Sequence, residues 1–233
     1  MVRRTLAVAF VALAAAPLAA QDPDIEALRG SEKLAAVLKR VSSSQAEIRT
    51  LQASFEQRRV SRLLQEPSVS QGRLYVRVPD QVRWEYLSPR PMTVLLAGGY
   101  ATTYRPDDRR AERIAIGRMQ RRVFHYMSVT EPLDELRDHF SFTFRDPVGT
   151  KGNYQLFLKP TGPLVARRIS ELTIEIDRRE YLPVSFSYTE PDGDSTAYTF
   201  RDVVRNGEIA EAMFKLELPA DVEVVELAVK RAE

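Results

Sequence analysis

The chain of 233 residues contains no cysteine, two histidines and one tryptophan. Without thiols there is no disulfide staple and no thiolate metal site, and no cysteine is present to carry a lipid. His125 and His139 are not joined by the short spacing of a metal-binding pair. There is no G-x-x-x-x-G-K-[ST] loop and no G-x-S-x-G elbow, which excludes a Walker-type nucleotide site and an elbow-type nucleophile. Asp192-Gly193-Asp194 lacks the further oxygen ligands and closing Glu of a calcium loop. The expectation is a protein with no metal and no cofactor that is not an enzyme.

A surplus of one charge is missing as well. Lys and Arg number 34 against 32 Asp and Glu. Losing Arg3 and Arg4 with a leader would make the two signs equal. Phosphate contacts need a basic surplus, so nucleic acid is not an expected partner. The one long apolar run is "TLAVAFVALAAAPLAA", which follows Arg3-Arg4 and ends in small residues before Gln21. That pattern predicts a secretory signal peptide over 1–20, cleaved after Ala20. It is short for a bilayer span, which needs ~20 apolar residues. The mature part, 21–233, is expected to be a single soluble, monomeric domain with a sizeable core.

Within that part the hydrophobic period changes once. "SEKLAAVLKRVSSSQAEI" carries Leu34, Val37, Leu38, Val41 and Ile48, an amphipathic helix with Ser31 as its N-cap. The period then becomes two. Rows run through Leu51, Ala53 and Phe55; through Leu74, Val76 and Val78; and through Val82, Trp84 and Tyr86. Gly98-Gly99 marks a turn before Tyr100, Thr102 and Tyr104. "IGRMQRRVFHYM" and "TEPLDELRDHF" read as short helices, the second capped by Thr130 with Pro132 in its first turn. Strands resume at Phe140, Tyr154, Leu172, Val184, Tyr198 and Phe214, with turns at Asp192-Gly193 and Asn206-Gly207. About eleven short strands predict a mostly β fold: one antiparallel sheet, strongly curved or closed, with a few helices against it. One face of such a sheet must be filled by helices, by side chains or by a ligand. Alternation alone leaves open whether Trp84 fills a core or lines a pocket. Arg105 to Arg122 is rich in arginine, and reads either as a solvated face or as a docking surface for an acidic partner or lipid headgroups.

"LQASFEQ" after an amphipathic helix, "GRLYVRVPDQVRWEYLSP", the Gly turn, "TYRPDDRRAER" and the ending "STAYTFRDVVRNGEIAEAMFKLELPADVEVV" together resemble the LolA family of periplasmic lipoprotein carriers. The resemblance implies an unclosed antiparallel β-barrel with a helical lid over an apolar cavity. It also implies a periplasmic location and the acyl chains of lipoproteins as cargo. The partners would be an inner-membrane ABC exporter that loads the carrier and an outer-membrane acceptor that unloads it. On this reading Phe55, Leu74, Val76, Val78, Val82, Trp84, Tyr86, Leu95 and Tyr104 line the lipid site, and the segment Met119 to Met127 serves as lid. At the position before Pro79, where the family often has a basic residue that holds the lid, this sequence has Val78, which cannot donate a hydrogen bond. Two other functions need the same cavity: carriage of another lipid such as a glycolipid, and a lipid-sensing or scaffold role without transport.

Overall fold

The computed structural model describes residues 24–63, 66–117, 133–147 and 152–227. The expected leader, the Met119 to Met127 segment, Thr130 and Pro132 lie outside these residues. The strands are β1 (Thr50–Val60), β2 (Ser68–Arg77), β3 (Gln81–Ser88), β4 (Met92–Ala97), β5 (Tyr100–Arg105), β6 (Arg110–Ala115), β7 (Phe140–Arg145), β8 (Tyr154–Pro160), β9 (Glu171–Ile176), β10 (Pro183–Thr189), β11 (Ser195–Arg205) and β12 (Glu223–Leu227). They form one 12-stranded sheet in the order β12-β6-β5-β4-β3-β2-β1-β11-β10-β9-β8-β7. Hairpins make almost every neighbour antiparallel. The long-range joint is β1 against β11, where Phe55 faces Phe200 and Val60 faces Ser195. β12, the strand beyond the expected eleven, runs parallel to β6. The sheet does not close on itself, as expected: β12 and β7 are its two edges.

β11 carries one extra residue opposite Gln52–Ser54, and Asp202 there has φ +53°. A bulge of this kind bends the strand and increases its twist. Gly72 marks a second close approach. A Cβ on it would sit 2.2 Å from the Glu85 carbonyl oxygen and 2.5 Å from the Phe55 ring.

Helix α1 spans Gly30–Ala46. Its buried positions Lys33, Val37, Leu38, Val41 and Gln45 recur at helical spacing on one face. Val37, Leu38 and Val41 are at most 1% exposed, and each such burial stabilises by roughly 1.5–3 kcal/mol. Arg29, not Ser31, occupies the N-cap position, and no side chain caps the helix. The "TEPLDELRDHF" helix is a 3₁₀ segment, Leu133–Asp138, whose Leu133 and Leu136 join the same core as α1. A single helical turn, Pro163–Ala166, links β8 to β9.

The two faces of the sheet are covered differently. The inner face, with α1, makes the main core. On the outer face a second, smaller cluster forms around Leu95, Ile209 and Phe214. The segment expected as a strand through Phe214, Leu216 and Leu218 is instead a 3₁₀ turn (Glu211–Phe214) followed by extended chain outside the sheet. It straps the outer face, and its apolar residues alternate because one side lies on the sheet rather than because it pairs within it.

Candidate functional site

The inner face centres on aromatic side chains from four adjacent or near-adjacent strands. Trp84 on β3 meets the Phe55 ring of β1 edge-on at 4.8 Å and Tyr198 of β11 at 5.3 Å. Phe55 also meets Tyr86 edge-on at 4.9 Å. Phe186 of β10 stacks on Tyr198 at 4.6 Å. Edge-to-face pairs of this kind add ~0.5–1.5 kcal/mol each beyond burial. The Tyr86 and Tyr198 hydroxyls lie 3.4 Å apart. Burial raises the pKa of both phenols, so this pair stays neutral and the face carries no charge at its centre.

The structure sorts the expected site residues. Phe55, Leu74, Val76, Val82, Trp84 and Tyr86 share the inner-face cluster, where β1 to β3 alternate as read. Leu95 and Tyr104 do not. Val94 and Leu96 point inward, so Leu95, opposite Arg83 and Thr102, belongs to the outer cluster. β4 has apolar residues on both faces, "VLL", and offers no alternation to read. Ala101 is the inward residue of β5 and fixes Tyr104, opposite Thr93, to the outer face. Val78 is 42% exposed because β2 ends at Arg77 and Val78 begins the turn to β3. Trp84 itself is 4% exposed and packed on rings. In this form it fills a core rather than lining an open pocket. Phe186, Tyr198 and Phe200 were missing from the expected set. Their alternation was visible in the sequence, but their place beside Trp84 depends on the β1–β11 pairing.

A second arrangement had no sequence signal. Lys33 of α1 has a side chain only 2% exposed, yet its ammonium donates to Glu26 Oε2 at 2.9 Å and Asp146 Oδ2 at 2.6 Å. Arg178, in the turn after β9, donates to Glu26 Oε1 at 2.9 Å and pairs with Asp146, which follows β7. Tyr154 donates to Glu26 Oε1 at 2.5 Å, and the Arg178 guanidinium lies 4.2 Å from the Tyr154 ring centre. The Tyr154 hydroxyl bond, then the Lys33 and Arg178 partners acting against burial, holds the Glu26 carboxyl at about 2. Burial alone would lower the Lys33 pKa; the bonds from Asp146 and Glu26 overcome it and raise it. This clasp pins the start of α1 to the β7–β9 end of the sheet.

The outer strap is tied by arginines. Arg77 donates to the Ile209 carbonyl at 2.6 Å and lies 4.8 Å from the Phe214 ring centre. Arg83 donates to the Met213 carbonyl at 3.3 Å and to Glu85 at 3.0 Å. Opposite the missing basic residue at Val78, then, the neighbouring Arg77 works on the other face. Two hollows flank these elements: one of about 720 Å³ beside Arg49, Thr50 and Asn206, and one of about 270 Å³ between Leu95, Tyr100, Leu216 and Val224. Neither opens onto the aromatic face. Among the described arginines of the Arg105 to Arg122 stretch, Arg105, Arg109, Arg110 and Arg113 each pair with an acid of this chain.

Similarity to known proteins agrees with this geometry. The chain is 27% identical over 221 residues to the outer-membrane lipoprotein carrier protein of Chromohalobacter salexigens, covering 94% of this chain and 95% of that one. An uncharacterized conserved protein of Thermus thermophilus superposes with a TM-score of 0.52 at 14% identity over 83% of this chain and 99% of that one. MucB superposes with a TM-score of 0.51 at 15% identity, over 84% of this chain and 66% of MucB. The family model for the outer membrane lipoprotein carrier protein LolA matches residues 46–217, from the end of α1 to the outer strap. With an unclosed sheet, a helix-covered apolar face and that match over most of its length, this chain belongs to the LolA family.

Proposed function

We propose that this protein is a carrier that takes up the acyl chains of lipoproteins on the inner face of its sheet and keeps them from water between two membranes. The observation that carries this reading is the continuous apolar inner face of an unclosed sheet, covered among the described residues by α1 and the Leu133–Asp138 turn. α1 lies on that face through side chains, and β12 and β7 are not bonded to each other. Lifting the helix and spreading these edges exposes Phe55, Trp84, Tyr86 and their neighbours as an acyl-sized apolar surface. The helix-on form described above is the closed state.

The energetics fit a carrier without a nucleotide site. Each buried methylene is worth roughly 0.8 kcal/mol, so a multiply acylated anchor resists extraction by tens of kcal/mol on that scale. Such work belongs to a membrane exporter that consumes ATP, and the carrier only has to shelter the chains. In this reading residues 1–20 are a leader removed on export, and 21–233 act as a monomer in the periplasm. The protein receives lipoproteins from an inner-membrane ABC exporter and delivers them to an outer-membrane acceptor.

Native mass spectrometry of the protein recovered from the periplasm tests this. A one-to-one complex with an acylated lipoprotein, together with a shift in Trp84 emission on loading, is the expected result. Recovery with a glycolipid, or with a protein partner and no lipid, would reassign the cargo or the function.

A further inference from the structure

Along β1 the inward row changes character. Leu51, Ala53 and Phe55 are apolar, but the next inward position is Gln57. Its cross-strand neighbours on that face are Ser70 of β2 and Tyr198 of β11. Tyr86 on β3 and Tyr198 bring their hydroxyls to 3.4 Å. β2 and β1 lie between those two strands, which sets β3 and β11 about 14 Å apart on a flat sheet. The phenols meet by converging over Phe55, whose ring both contact. Gly72, the cross-strand neighbour of both Tyr86 and Phe55, leaves the room: a Cβ there would lie 2.5 Å from the Phe55 ring. Two hydroxyls bring two protons, and the contact between them uses one. Among the described residues neither hydroxyl has a second partner, and the Gln57 amide has none. Tyr198 is 4% exposed and Tyr86 half-buried. Burial keeps both phenols protonated, so the pair offers a neutral donor that lacks an acceptor.

We infer that the Tyr86–Tyr198 pair is the polar end of the lipid site, where it donates to the carbonyl oxygen of an ester joining an acyl chain to glycerol, and that the chain runs from there toward α1. The inference rests on the carrier reading and fixes the direction and chemistry of the lipid within it. Tyr198 pairs with Gln57, seven residues along β1 from Thr50, about 23 Å at ~3.3 Å per residue. Thr50 marks the end of the sheet where α1 is tied. There Asn206 accepts from the Arg49 N–H at 2.7 Å and donates to the Glu47 carbonyl at 3.0 Å. The start of α1 is held beside Tyr154, the first residue of β8, at the same end. Between the phenols and that end the inner face presents Phe55, Trp84, Leu74 and Val82, which suits hydrocarbon. An ester carbonyl fits the phenols better than an anion does. The donor is neutral, and Arg59, the next inward position of β1, is engaged by Asp194 at 3.6 Å. An unpaired donor also discriminates: a ligand that supplies the acceptor gains a hydrogen bond, and one without it leaves the donor unsatisfied.

Equilibrium dialysis with two labelled lipids tests this. Dioctanoylglycerol carries ester carbonyls; dioctylglycerol has similar chains joined by ether oxygens. Wild type should bind the ester about tenfold more tightly, the scale of one hydrogen bond. The double variant Tyr86→Phe/Tyr198→Phe should bind both lipids equally, with the affinity that wild type shows for the ether. Both hydroxyls leave together, so neither is stranded, and the urea midpoint of the double variant should match or exceed that of wild type. Equal binding of ester and ether by wild type overturns the inference and leaves the carrier reading standing. An ester preference that survives in the double variant overturns the assignment to these hydroxyls. Failure of wild type to bind either lipid overturns the carrier reading and this inference with it.

Discussion

The inner and outer faces of this sheet are built from the same strands but covered by different means. The inner cover, α1, buries Val37, Leu38 and Val41 and is pinned at its start by a cluster of charges. The outer cover is a strap held along its length by arginine-to-carbonyl bonds from Arg77 and Arg83. A helix satisfies its own backbone, so lifting it breaks side-chain bonds such as those of Lys33 but no backbone ladder. The strap's carbonyls are held by the sheet's arginines, and removing it breaks those bonds. On the carrier reading proposed above, the inner side is the one that opens: the large apolar face lies under the cover that costs less backbone bonding to lift.

Breaking the inner face at its centre should have the largest effect. Trp84→Ala removes a ring packed on Phe55, Tyr198 and Phe200, and should destabilise by ~3–5 kcal/mol in urea unfolding. A loss near zero would mean that Trp84 borders an unfilled space. Gly72→Ala puts a methyl group against backbone at the junction of both faces; a cost of about 1–3 kcal/mol is expected from the same measurement.

Lys33→Met separates the two covers. It removes one partner each from Glu26 and Asp146, which keep Arg178 and whose side chains are 43% and 29% exposed. Access to water keeps the cost at about 1–3 kcal/mol, below that of a fully buried pair. Hydrogen exchange should quicken in α1 and stay unchanged at Ile209 to Phe214. Equal quickening in both would show that the covers are coupled.

Acid should act on the same cover. The Glu26 pKa falls from 4.5 to about 2 on folding. The unfolded chain therefore binds more protons between these values. The clasp's contribution is complete above about 4.5 and is lost as pH falls toward 2. Glu26→Gln should flatten that part of the stability profile; an unchanged slope would place the acid sensitivity elsewhere. Arg77→Ala is expected to be smallest, about 1 kcal/mol for one hydrogen bond and one ring contact, with α1 exchange unaltered.

Much of the inner face was legible in the sequence. Trp84 flanked by Val82 and Tyr86 alternates cleanly, and Leu74 and Val76 do so on the next strand, because strand side chains point to opposite faces with a period of two. The reading failed where that signal is absent or ends. Leu95 sits in a run of apolar residues that covers both faces, Val78 lies past the last ladder residue, and Phe214 packs on a sheet it does not join. The clasp was invisible for another reason. Lys33 and Asp146 are separated by 113 residues, and nothing local distinguishes them from other charged side chains.

The sequence by itself determined the inward row on β1 to β3, the amphipathic helix and the family, because all of these rest on spacing within a few residues or on matching blocks in order. Only the tertiary structure decided that β11 lies beside β1, that Phe186, Tyr198 and Phe200 join Trp84 and that Lys33 is buried among carboxylates. Those outcomes depend on pairings between distant segments, and the energy that selects them is the burial of whole faces rather than any local preference.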